Sequence, residues 1–462
     1  MMKRFHALLL ASALAVVSSA PQAADLLEIF EQARQQDPVH QAAAADLRAR
    51  MEARPQARSG LLPNIGAGAN YSRNRFDPKD AEASYSTNQT WGLELRQSLF
   101  HRDRLLQLDQ ADYLIAQAEA DFAAATQGLV LRVSEAYFAT LAAHDTLRFA
   151  KAEKDAITRQ LDQAQQRFEV GLTAITDVHE TQAAYDLAIS REIEAQAQLD
   201  NAYEALRELT GSRPHTLAVL STDLPLVRPD PEAPDAWVDT ALEQNLALVS
   251  AMAGLGVRQE EVRIQRAGHL PTLDLTAAYS NQDLNFGGIQ QIEREDTSVG
   301  LELNIPIYSG GLTSSRTREA RARFQEAQAQ VESVRRSAER QVREAFRGVT
   351  ADISQVQALD QALQSSRTAL RAQDAGLEVG TRTTVDVLNA QRELFRAERD
   401  RAQARYTYLL NGLRLKQAAG ILEAEDLEIA ASLLAHRIPS GFIMCTLPFG
   451  SRHPRNDGHL PA

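Results

Sequence analysis

The chain is written twice. Leu61-Leu62-Pro63 opens a segment ending at Tyr71-Ser72, and 208 residues later His269-Leu270-Pro271 opens one ending at Tyr279-Ser280. At the same offset, Trp91-Gly92-Leu93-Glu94-Leu95 meets Val299-Gly300-Leu301-Glu302-Leu303. One inserted residue takes the offset to 209. There Glu135-Ala136-Tyr137 meets Glu344-Ala345-Phe346, Glu169-Val170-Gly171 meets Glu378-Val379-Gly380, and Asp177-Val178 meets Asp386-Val387. A period this long marks a duplicated half-protein, since solenoid units run to about 20–50 residues. Whatever one half folds into, the other must fold into as well.

Each half opens its repeated core with two segments of period two. Ile65, Ala67, Ala69 and Tyr71 alternate with Asn64, Gly66, Gly68, Asn70 and Ser72, and Trp91, Leu93, Leu95 and Leu99 with Gly92, Glu94, Arg96 and Ser98. In the second half, Leu273, Leu275, Ala277 and Tyr279 alternate with Thr272, Asp274, Thr276 and Ser280. Val299, Leu301, Leu303, Ile305 and Ile307 alternate with Ser298, Gly300, Glu302 and Asn304. A soluble antiparallel sheet can show this pattern. Segments of about ten residues with one apolar face, one small polar face and aromatics near their ends also match strands of a transmembrane barrel. Four strands cannot close a barrel, and an open edge is not tolerated in lipid. Several chains must then share one barrel. Two would supply eight strands, whose side chains fill the interior, and three would supply twelve, leaving a lumen. A conduit therefore predicts a trimer, with the charged loops around residues 76–88 and 284–297 outside the cell.

Helices follow the strands. Residues 102–168 hold no proline and one glycine, Gly128, and residues 313–377 match them with Gly348 and Gly376. At 1.5 Å per residue each spans on the order of 100 Å. Each ends at a glycine, Gly171 or Gly380, suited to the left-handed position past a helix end. A second helix then returns over 174–209 or 384–419, making an αα-hairpin whose tip is farthest from the strands. Single helical stretches are predicted before each strand pair, over 25–58 and 235–267. The domain reading is a first repeat at 25–211, a proline-rich linker packed outside the helices at 212–234, a second repeat at 235–435, and a disordered tail at 436–462.

Residues 1–24 read as a secretory signal: Lys3 and Arg4, an apolar run over 7–17, then small residues. After it, no run of 18 or more apolar residues predicts a membrane-spanning helix. The net charge of −12 argues against nucleic acid as a partner. The lone cysteine, Cys445, cannot form an internal disulfide. The ten histidines make no close pair on one helix face, so no metal site is expected. There is no phosphate-binding glycine loop and no nucleophile elbow. No cofactor and no enzyme activity are expected, and energy for transport must come from a partner.

The stretches Arg167-Phe168-Glu169-Val170-Gly171-Leu172-Thr173-Ala174-Ile175-Thr176-Asp177-Val178 and Val379-Gly380-Thr381-Arg382-Thr383-Thr384-Val385-Asp386-Val387-Leu388 resemble the TolC outer-membrane efflux protein family. Residues 269–277 and 404–409 add to the likeness, which covers about 25–434. The resemblance implies an α+β membrane protein: a trimeric channel-tunnel with four transmembrane β-strands per chain in a shared barrel, and a long periplasmic α-helical barrel. It implies residence in the outer membrane, contact with its lipid, extension into the periplasm, and docking to a periplasmic adaptor (membrane fusion) protein and an inner-membrane transporter. Export of drugs and small toxic compounds, or type I protein secretion, is the implied function. The alternatives are a substrate-restricted export channel and a non-transporting trimeric surface or coiled-coil protein. By the same resemblance Asp386 belongs to a pore-facing carboxylate ring, and Asn389 takes the place of a second aspartate ring. Arg382 would bond to Thr176 and Asp177 to shut the gate, with Arg405 a further gate arginine and Leu377 standing where the family has a tyrosine. Val170, Gly171 and Leu172, and Val379, Gly380 and Thr381, would meet the adaptor. From the residues alone, Asp177 and Asp386 could equally serve the starts of their helices.

Overall fold

The computed structural model describes residues 25–77, 79, 83–214, 216–221, 224–286, 290–432 and 434–435. The expected signal segment, the tail with Cys445, and the turn residues Pro78 and Gly287-Gly288 lie outside these. In the first half α1 (Leu26–Gln36), α2 (Pro38–Met51) and α3 (Ala53–Ser59) lead into β1 (Asn64–Phe76) and β2 (Ser84–Phe100), then α4 (Arg102–Glu169) and α5 (Ile175–Thr210). A two-residue strand, β3 (Val219–Leu220), lies in the linker. The second half repeats the order with α6 (Pro234–Gln244), α7 (Leu246–Ala267), β4 (Thr272–Phe286), β5 (Gln290–Asn304), α8 (Leu312–Glu378) and α9 (Thr384–Ala419). The short α10 (Glu425–Ser432) and β6 (Leu434–Ala435) follow, and β6 pairs with β3.

The helical stretch expected before each strand pair is broken, at the same place in both halves. Asp37 ends α1 and caps α2, accepting from the His40 N–H at 2.9 Å. Its counterpart Asn245 stands between α6 and α7 and accepts from Leu248 N–H at 3.1 Å. A short polar side chain that captures the amide three residues on favours a helix start over helix continuation. In the first half Pro38 reinforces the break, because its ring disfavours helix at the preceding residue. Asp37 also receives Arg132 of α4 at 2.7 Å, which fastens the break to the long helix.

The four long strands form one antiparallel sheet in the order β1-β2-β4-β5. Its register puts Ala67 opposite Leu93, Leu93 opposite Tyr279 and Ala277 opposite Val299, so one face is apolar from the helix end of the sheet to the level of Tyr71 and Tyr279. Ile65, Tyr71, Trp91, Leu93, Val299, Leu301 and Leu303 on that face stay exposed, at 49–74%. The other face carries Glu94, Arg96 and Glu302, with Arg96 and Glu302 paired at 2.8 Å. Nearly every residue of β1 and β5 is exposed on both faces. An apolar sheet with two bare edges is not a stable soluble surface.

Among the described residues no helix is long and apolar enough to cross a membrane. The 68-residue α4 and 67-residue α8 run away from the sheet, and α5 and α9 return along them. Small buried residues such as Ala111, Ala118, Ala188, Ala195 and Ala338 let the helices approach closely. The main apolar core lies partway along the helices, where α1, α6, α9 and α10 gather around Phe30, Leu129, Tyr137, Phe138, Val342 and Leu413. Fully burying a side chain such as Phe138 contributes about 1.5–3 kcal/mol. The linker is held onto this level by hydrogen bonds. Tyr137 donates to the Ala218 carbonyl at 2.8 Å and Tyr408 to the Val227 carbonyl at 2.9 Å.

Candidate gate and docking tips

Both hairpin turns are built the same way. Past α4, the Gly171 N–H donates to Phe168 O at 2.9 Å and the Leu172 N–H to Arg167 O at 2.8 Å. Past α8, the Gly380 N–H donates to Leu377 O at 3.3 Å and the Thr381 N–H to Gly376 O at 2.8 Å. This double closure needs a left-handed residue just beyond the helix, and Gly171 (φ 76°) and Gly380 (φ 77°) supply it. The turn throws apolar side chains into solvent: Val170 is 69%, Leu172 77% and Val379 74% exposed. Exposed large apolar groups at the distal end of a polar helical pair mark a contact surface.

The returning helices begin differently, and the difference is one side chain. In α9, Thr383 caps the helix and Asp386 completes a capping box. Asp386 Oδ2 accepts from the Thr383 N–H and hydroxyl, both at 3.0 Å, while Thr383 Oγ1 accepts from the Asp386 N–H at 3.2 Å. These bonds hold the Asp386 carboxyl below the usual carboxylate range, and the charge of Arg382 adds to the effect. In α5 the cap position is Ala174, which has no side-chain oxygen, so no box forms. Asp177 instead accepts from the Thr173 hydroxyl. The helix-start role weighed for Asp386 is therefore present in the structure, and it leaves the carboxylate charged and half-exposed.

One turn beyond Asp386, Asn389 accepts from the Arg392 guanidinium. The sequence reading missed Arg392, whose i, i+3 spacing from Asn389 was the available signal. Arg382 is exposed, and its Cβ and Cγ lie across Gly376. A methyl group at Gly376 would stand 2.5 Å from Arg382 Cγ, so this helical glycine makes room for the arginine. Among the described residues of one chain, Arg382 is not ion-paired with Asp177, and Thr176 is exposed. A single chain does not bring the three together.

Arg405 is elsewhere. It stands 19 residues along α9 from Asp386, on the order of 28 Å at 1.5 Å per residue. It is buried, donates to the Ser221 carbonyl, and lies beside Arg401 and Asp360. Burial pushes its guanidinium pKa down, and the neighbouring Arg401 charge does the same. This arginine fastens the linker to α9 and does not join Arg382 at the tip. A group not foreseen from sequence is Asp374 of α8, near the second tip, whose carboxyl is pushed up by burial and then by the charge of Glu378.

A sheet with an apolar outer face and two open edges, carried by long polar helical hairpins, defines a membrane-inserted strand module on an extramembrane stalk. The chain belongs to the outer membrane efflux protein family, whose model matches residues 29–212 and 237–421, one stretch in each half. It is 40% identical over 428 residues to the outer membrane protein TolC of Vibrio cholerae, covering 92% of this chain and 97% of that one. It is 30% identical over 449 residues to the alkaline protease secretion protein AprF of Pseudomonas aeruginosa, covering 93% and 92%. The Campylobacter jejuni CmeC outer membrane channel has the same fold, with a TM-score of 0.73 at 17% identity, covering 89% of this chain and 90% of that one. The protein is an outer-membrane efflux protein.

Proposed function

We propose that three copies close their sheets into one twelve-stranded barrel in the outer membrane and gather their hairpins into a helical tunnel in the periplasm. The assembly is an export duct for drugs and small toxic compounds, for type I secreted proteins, or for both. The observation that carries this is the pair of exposed edge strands on a sheet whose outer face is apolar. In lipid those edges must be paired, and four strands cannot pair them with one another. The length of α4 and α8 supports a duct across the periplasm, and a family named for efflux together with a relative named for protease secretion supports both cargo classes. The chain brings no energy source of its own, so it works with an inner-membrane transporter through a periplasmic adaptor.

The adaptor surface is the two tips of each chain: Val170, Gly171 and Leu172 on one, Val379, Gly380 and Thr381 on the other. The gate is the constriction formed where three copies of Asp386 converge, with Asn389 one turn and Arg392 nearly two turns further along α9. Arg382 crosses to Thr176 and Asp177 of a neighbouring copy and holds the tunnel shut. Arg405 serves the gate only through the linker it anchors.

The test has two parts. Detergent-purified protein should have the mass of three chains and conduct ions in a planar bilayer; a stable, non-conducting monomer would overturn the duct. Gly380→Asp should abolish export with the trimer intact. An added Cβ at Gly380 meets nothing within 4 Å in its own chain; the left-handed φ of 77° strains any side chain by about 1–2 kcal/mol, a local cost at the tip that a trimer joined along its whole length withstands. Normal export by that variant would move the adaptor surface elsewhere.

A further inference from the structure

The two hairpins of the sheet end in opposite charges on the same face. Along β1 the apolar phase of Ile65, Ala67, Ala69 and Tyr71 continues to Arg73 and Arg75. Both guanidiniums lie near the Tyr85 ring, at 5.1 and 5.9 Å from its centre. Along β5 the phase of Leu303, Leu301 and Val299 continues through Thr297 to Glu295 and Glu293. Neighbouring β4 adds Asp283 directly opposite Glu293. Like charges facing each other across a strand pair are destabilising. The Gln291 amide lies between them, donating to Asp283 at 3.1 Å and to Glu293 at 3.4 Å. Among the described residues Glu293, Glu295 and Arg73 have no ion-pair partner; Glu295 accepts only from the Asn281 amide at 3.5 Å, and Arg75 holds Asp77 at 2.9 Å in an exposed pair that a neighbour's carboxylates would compete for.

Apart from Asp283, these charges sit on the two edge strands. β1 and β5 run in opposite directions, so the β5 edge of one copy continues the antiparallel sheet when laid against β1 of the next. A closed barrel of tilted strands requires a stagger at some seam. The stagger must be an even number of residues, because an odd one turns the apolar face inward. A stagger of about four to six residues per seam sets Arg75 opposite Glu293 or Glu295 and still leaves most of β1 paired.

We propose that the partner for this charged edge is a second copy of the chain. Arg73 and Arg75 of one protomer clasp Glu293 and Glu295 of its neighbour at the extracellular end of each seam, and this clasp sets the register in which the shared barrel closes. The proposal rests on the trimeric reading above, and its test separates the two. Arg73→Glu with Arg75→Glu removes the heat-resistant trimer in denaturing gels; so does Glu293→Arg with Glu295→Arg; all four changes together restore it. In a Cys445→Ser background, Arg75→Cys paired with either Glu293→Cys or Glu295→Cys yields chains joined by a disulfide on oxidation. An intact trimer with neither cysteine pair linked overturns the clasp and leaves the trimer standing. A monomeric wild type overturns both. If the four-fold variant is no better than the arginine reversals, and trimer stability in vesicles instead tracks phosphorylated over dephosphorylated glycolipid, the arginines hold a lipid headgroup and the clasp is refuted.

Discussion

Gly376→Ala isolates what one glycine does for the gate. Gly376 lies within the last turn of α8, where its carbonyl accepts from Thr381 N–H at 2.8 Å and Arg382 N–H at 3.2 Å. It is helical, so alanine is favoured there by about 0.8–1.0 kcal/mol. The added methyl would meet Arg382 Cγ at 2.5 Å and Cβ at 3.2 Å, inside ordinary contact distance. Relieving this means swinging Arg382 off its rotamer by about 1 Å, at a cost of about 0.5–1.5 kcal/mol. The two effects nearly cancel, so heat or urea dissociation of the trimer should move by less than about 1 kcal/mol per chain. The gate should not be spared. An exposed ion pair is worth about 0–1 kcal/mol, so three displaced arginines remove up to about 3 kcal/mol from the closed state. At 1.4 kcal/mol per factor of ten, a middle value raises the open population about tenfold. Single-channel recording in planar bilayers reads this directly, with Arg382→Ser as the positive control. Gly412→Ala in α9 is the negative control, because an added methyl there meets nothing in the chain within 4 Å. Wild-type conductance in Gly376→Ala, alongside raised conductance in Arg382→Ser, would refute the claim that Gly376 positions the arginine.

Three other expectations are independent of that one. Leu301→Arg, on the exposed apolar face of β5, should cost about 2–4 kcal/mol per chain, while Glu302→Gln one residue on should be tolerated; equal losses of membrane-assembled protein would show the strand phase to be wrong. Asp386→Asn should lower cation selectivity. Because the wild-type carboxyl is held below its usual range by Thr383, selectivity should persist as pH falls through about 3.9 and disappear only below it; reversal potentials measured against pH decide this. Asp37→Asn keeps the helix cap but loses the charge facing Arg132, costing about 1–3 kcal/mol by denaturant titration at neutral pH. Burial alone would raise the Asp37 carboxyl, but Arg132 and the His40 N–H outweigh it and hold it low. The wild-type advantage is therefore complete above about pH 4 and shrinks as pH falls through the lower folded value, so the two proteins should converge in acid.

Much of this molecule is local, and what is local was legible in the chain. Strand phase follows from alternation, because successive side chains on a strand point to opposite faces. The reach of α4 and α8 follows from long runs without proline. The tips follow from Gly171 and Gly380, each at the position that needs a left-handed backbone. Duplication made each of these readings twice over, and the break at Asp37 and Asn245 was equally present as a capping signal that the periodicity concealed. What the sequence could not decide depends on which distant residues meet. Asp386 and Asp177 occupy equivalent places, yet only Asp386 is locked in a capping box, because Thr383 stands where the other half has Ala174. Arg405 looked like a companion of Arg382, and only the packing of the linker against α9 shows that it binds Ser221 well away from the tip. The register across β2 and β4 joins the two halves, and it alone leaves basic β1 and acidic β5 as the two free edges. Periodicity is a property of neighbours along the chain, whereas partners across a sheet or between helices are chosen by packing, burial and charge in three dimensions.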